Sequence, residues 1–68
     1  MIDFESMQLG DIVPMAPGKW EDAPRQQFNA ACEYHAQHPE VQFEVLSEYQ
    51  MNKDRGIEEL VFKLKRIR

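Results

Sequence analysis

The chain has 68 residues, 43% of them apolar, and a net charge of −4, which bounds it to one small domain whose core contributes only a few kcal/mol of net stability. A single cysteine excludes an internal disulfide scaffold, and no run of about 18 apolar residues is available for a membrane span. The opening residues carry neither a basic leader nor an apolar run, so a reducing cytoplasm is the expected compartment.

Taken in order, residues 1–8 lack a hydrophobic period and read as a loose N-terminal arm that pins one side chain, Phe4 or Met7, to the body. Leu9 to Val13 reads as a turn at Gly10 followed by a short strand. Pro14, Pro17 and Gly18 then interrupt regular structure and deliver Trp20, a large side chain that so short a chain needs in its core, the alternative being an anchor for a binding partner.

A helix is expected next. Asp22 is placed to cap it, Pro24 suits a first turn where its missing N–H goes unused, and Pro39 pushes His38 out of helical geometry. Between these limits Phe28, Ala31, Cys32, His35 and Ala36 recur at helical spacing, opposite Arg25, Gln26, Asn29, Glu33 and Gln37.

Val41 to Met51 alternates, with Val41, Phe43, Val45, Tyr49 and Met51 on one side and Ser47 as the polar exception. Asn52 to Gly56 is turn chemistry, and Ile57 to Ile67 is a second strand with Leu60, Phe62 and Leu64 on its apolar side. A four-residue loop from Lys53 to Gly56 sets the register: Asn52 opposite Ile57, Tyr49 opposite Leu60, Val45 opposite Leu64 and Glu44 opposite Lys65. The expected architecture is an α+β single domain, β-α-β-β, with one helix on a short antiparallel sheet. Its core is expected to be Phe28, Ala31, Cys32 and His35 against Phe43, Val45, Leu60, Phe62 and Leu64.

Chemistry is sparse. Cys32, His35 and His38 have a metal-like spacing, but at about 100° per residue they spread around a helix and do not converge on one ion, so no metal is expected. A Cys32–His35 nucleophile pair has no orienting third group, Glu58 and Glu59 point to opposite faces of a strand, and the three glycines sit in separate turns. No catalytic residues, cofactor or small-molecule substrate are expected, and the chain reads as a non-enzyme.

Binding features are clearer. The outer sheet face keeps Leu46, Val61 and Ile67 among charged residues, a candidate interface for a protein partner or a homodimer. Charge is segregated: residues 1–52 hold two bases against nine acids, and residues 53–68 hold six against three. Lys53, Arg55, Lys63, Lys65, Arg66 and Arg68 therefore mark a basic hairpin suited to an acidic partner or, as the alternative function, to nucleic acid. Against the nucleic-acid reading stands a pI near 5.0.

The succession of Trp20, then Arg25 to His35, then Val41-Gln-Phe-Glu-Val and a closing Leu60-Val-Phe-Lys-Leu-Lys-Arg resembles the layout of small uncharacterised bacteriophage-encoded α/β accessory proteins. The resemblance implies a viral inhibitor or regulator acting on host machinery or nucleic acid in the host cytoplasm. The basic hairpin departs from acidic proteins that mimic DNA, and the resemblance assigns no functional residue.

Overall fold

In the computed structural model, which describes residues 2–68, alternation and turn chemistry at the C-terminal end produce a long hairpin. Its strands are β2, Phe43–Asn52, and β3, Ile57–Arg66. The turn closes through the Gly56 N–H, which donates to the Asn52 carbonyl at 2.7 Å, with Gly56 at a φ of 67° that favours glycine. The Asn52 Oδ1 accepts from the Asp54 and Arg55 N–H groups, an Asx turn that holds the loop from within. Every pair expected from the sequence is formed: Asn52 with Ile57, Tyr49 with Leu60, Val45 with Leu64 and Glu44 with Lys65.

Strand β1, Ile12–Pro14, pairs antiparallel with the C-terminal half of β3 and completes a sheet of order β1-β3-β2. Pro14 sits on this edge strand, where its missing donor costs no ladder bond. Flanking bonds run from the Gly10 N–H to the Arg66 carbonyl and from the Met15 N–H to the Phe62 carbonyl.

Helix α1, Ala23–Gln37, occupies the span set by the two prolines. Asp22 precedes it, but its carboxylate makes no capping bond; the Arg25 N–H donates instead to the Trp20 carbonyl at 2.9 Å. Among the described residues no helix is long and apolar enough to cross a membrane.

The buried stripe of α1 is rotated from the expected one. Cys32 and Ala36 are exposed, while Pro24 and Ala31 are buried and Gln27, Phe28, Tyr34 and His35 are half-buried. Both stripes share Phe28, Ala31 and His35. The sense of rotation is set by Tyr34, whose ring packs against Phe4 and Phe43, and by Gln27, whose Oε1 accepts the Ala16 N–H at 2.6 Å. His35 joins the next segment through its Nδ1, 2.6 Å from the Val41 carbonyl.

The core centres on Met7, Met15, Ala31 and Leu64. Two aromatic groups flank it: Phe4, Tyr34 and Phe43 towards the end of the helix, and Trp20, Phe28 and Phe62 towards its start. In place of one pinned side chain, the N-terminal arm contributes three, with Met7 buried and Ile2 and Phe4 packed against the core. The Arg66 guanidinium fastens it by donating to the Met7 carbonyl at 2.6 Å. Met1 lies outside the described residues.

Leu60, expected in the core, is exposed, and length supplies the reason. Ten strand residues extend about 33 Å, whereas fifteen helical residues extend about 22 Å. The helix roofs only the end of the hairpin near Phe43 and Leu64, and the turn-proximal half projects beyond it, giving a molecule of 41 × 22 × 15 Å.

Candidate protein-docking surface

The projecting half of the hairpin has a helix-side surface that is left exposed among the described residues. Tyr49 is 72% exposed, Met51 60% and Leu60 41%. Tyr49 and Leu60 are directly opposite across the strands, and Met51 is the next residue on the same side. In so small a chain this is apolar area withheld from the core, concentrated in one place.

The outer face is organised differently. Leu46 stands opposite Lys63, and Val61 opposite Glu48, so the two apolar side chains and the two charged ones form a square block. A Lys63–Glu48 ion pair crosses its diagonal. Leu46 and Val61 are half-buried beside these side chains, and exposed Ile67 lies beyond the end of β3. The three residues marked in the sequence as an interface are therefore not one continuous apolar surface. Tyr49, Met51 and Leu60 are on the opposite side of the sheet, adjacent to one another.

Glu48 also accepts from the Gln50 side-chain amide at 2.7 Å. Its hydrogen bond from Lys63, then that from Gln50, then the Lys63 charge hold its carboxyl below the usual glutamate range. Because the folded form titrates lower than the unfolded one, the ion pair's contribution to stability is fully present above the ordinary glutamate range. It is lost as pH falls through the lowered value. Replacing Lys63 with Met is expected to move the Glu48 titration upward, as read from its side-chain carboxyl NMR shift; an unmoved midpoint would show that the pair is not formed in solution.

The six basic residues do not gather into one patch. Lys53 and Arg55 are in the hairpin turn, and Arg55 lies 3.7 Å from Glu59. Lys63 is paired with Glu48, and Lys65 faces Glu44 across the sheet. Arg66 is turned to the helix side and bonded to the Met7 and Arg68 carbonyls. Arg68 ends the chain at the opposite end of the hairpin from Lys53. Separation and pairing leave no continuous track for a phosphate backbone.

Two depressions adjoin the hairpin. One, of about 920 Å³, lies between the loop at Pro17 to Trp20 and the turn-proximal part of β3, with Leu60, Arg55 and Asn52 on its far wall. The other, shallower and about 580 Å³, lies along β2 and is lined by Trp20, Phe28, Phe43, Val45 and Phe62. Cys32, His35 and His38 do not converge: Cys32 is exposed, His35 is engaged with Val41, and His38 lies 3.7 Å from Glu40.

The signal for the projecting surface was in the sequence as a difference of lengths. Alternation placed Tyr49, Met51 and Leu60 on the helix side, and the rise per residue leaves a proline-limited helix too short to reach them. Comparison with known protein families, curated proteins and solved structures finds no match for this chain.

Proposed function

We propose that this chain is a non-catalytic protein-binding module that docks its partner on the projecting half of the hairpin. One observation carries the reading: Tyr49, Met51 and Leu60 form an exposed apolar surface on a part of the sheet that helix α1 does not reach. Tyrosine is well suited to this role, because it offers a large apolar area with a polar tip at low conformational cost. The likeness to phage-encoded accessory proteins suggests a regulator or inhibitor of host machinery, working in the host cytoplasm.

Photo-crosslinking tests the surface. A photoreactive side chain at position 49 is expected to give protein adducts in bacterial cytosol, while the same group at Asn29, exposed on α1, gives none. Adding Leu60→Ser is expected to reduce the adducts at position 49. Equal labelling at both positions, or adducts indifferent to Leu60, would overturn the reading.

A further inference from the structure

We infer that the partner on this surface is a second copy of the chain, joined along the free edge of β2 about a two-fold axis through Ser47. The inference rests on the protein-docking reading and gives it a definite occupant.

The edge is open and unguarded. Gln42 turns its backbone groups towards β3, accepting from the Ile67 N–H at 2.9 Å and donating to the Arg68 carbonyl at 3.2 Å. In an antiparallel pair these directions alternate, so the N–H and C=O groups of Phe43, Val45, Ser47, Tyr49 and Met51 point away from β3. β2 lies at the edge of the sheet, and among the described residues none of these groups has a hydrogen-bond partner. Lysine and proline, which commonly blunt such an edge, are absent from β2; its charged residues are Glu44 and Glu48, and Glu48 is paired with Lys63.

Side-chain chemistry selects the register of an antiparallel self-pairing. An axis through Leu46 sets Glu44 against Glu48 of the second copy, and one through Glu48 sets that residue against itself; like charges directly opposite are destabilising. An axis through Tyr49 leaves Phe43 and Val45 without apolar partners, and one through Val45 does the same to Tyr49's neighbour Met51. An axis through Ser47 places Tyr49 opposite Val45 and Met51 opposite Phe43, and sets Glu48 against Leu46 and Glu44 against Gln50. Within the span of β2 no acid then faces an acid.

This register also joins the exposed surface to the shallow depression. Phe43 and Val45 line the depression together with Trp20 and Phe28, so Tyr49 and Met51 of each copy enter the other's groove. The pairing ends with the strand, because one carried into the turns would set Asp54 against Glu40. Two three-stranded sheets merge into one of six strands, with each projecting hairpin lodged against the other copy's helix-covered end.

Sedimentation equilibrium on the full chain tests the assignment. The mass is expected to rise from 8.0 kDa towards twice that value between micromolar and millimolar concentration. Amide exchange at Val45, Ser47 and Tyr49 should slow over the same range. Ser47→Pro removes an outward N–H at the axis without taking a bond from the β2–β3 ladder, and is expected to be monomeric with an unchanged circular dichroism spectrum. Tyr49→Ser, which removes the side chain that enters the other copy's groove and takes no bond from the β2–β3 ladder, should weaken the dimer several-fold.

A wild-type chain that stays at 8.0 kDa at millimolar concentration would overturn the inference, as would a Ser47→Pro chain that dimerises like the wild type. If the pure chain is monomeric while position 49 crosslinks a different protein, the second copy is wrong and the docking surface stands. If position 49 crosslinks nothing, both fall.

Discussion

Leu64→Ala is expected to leave the domain largely unfolded at 25 °C, whereas Leu60→Ala, on the same strand and the same face, is expected to cost about 0.5 kcal/mol or less. Leu64 is 0% exposed and lies where Val13, Val45, Ala31 and the two core methionines meet. Truncating a buried leucine costs about 2–5 kcal/mol, part from lost transfer energy and part from the cavity left behind. A core of this size supplies about 3–5 kcal/mol in all, so this one change removes most of it. Urea titration followed by Trp20 fluorescence gives the comparison, since Trp20 stacks between Phe28 and Phe62 at ring separations of 5.7 and 5.0 Å. Both variants must be measured at one protein concentration, because association adds to apparent stability. Equal losses at the two positions would mean that the helix roofs the whole hairpin and that no docking surface projects beyond it.

That contrast also separates what the sequence made legible from what it did not. Hairpin register was readable because a loop length and a two-residue alternation determine it locally, and a slip by one residue would turn every apolar side chain to the wrong face. Helix limits were readable because Pro24 and Pro39 act on the backbone directly. Rotation of the helix was not: the stripes ending in Cys32 and Ala36 or in Gln27 and Tyr34 share three residues. The choice depends on the aromatic contact of Tyr34 with Phe4, a residue thirty positions away in the chain. The Asp22 cap failed for a related reason. Identity at the right position favours a side-chain bond, but here the first free N–H groups are met by Trp20 and Asp22 carbonyls in the turn leading in. Alternation assigned Leu46, Val61 and Ile67 to one outer face; Leu46 and Val61 flank the Lys63–Glu48 pair there, whereas Ile67 lies beyond β3 and lines the depression with Phe43 and Val45, and which face stays uncovered is a tertiary fact that alternation does not contain.

The arm before β1 gives the second large expected effect. Met7→Ala should destabilise by about 2–4 kcal/mol, in the range for a buried methionine, while Leu9→Ala, two residues on, should stay within about 0.5 kcal/mol. Met7 is 4% exposed and belongs to the central cluster, whereas Leu9 is exposed. A hydrophobic period is absent from this stretch because residues 2–8 are neither helix nor strand; Ile2, Phe4 and Met7 enter the core singly from turn and irregular backbone. The Asp3 Oδ1 accepts the Ser6 N–H, the Met7 N–H donates to the Phe4 carbonyl, and Arg66 then ties the Met7 carbonyl to β3. Phe4 meanwhile bridges Tyr34 on the helix and Phe43 on β2, so the arm closes the side of the core that a fifteen-residue helix leaves open. Arg66→Met keeps the aliphatic stem and removes the charged donor, so it should loosen the arm by about 1.5–3 kcal/mol, the usual worth of a hydrogen bond to a charged group. Thermal melts of Met7→Ala, Leu9→Ala and Arg66→Met, with amide exchange at residues 4–8, separate the two contributions. If Met7→Ala melts with Leu9→Ala, the arm is a tether and not a wall of the core, and Phe43 at the proposed dimer edge would lose its support from Phe4.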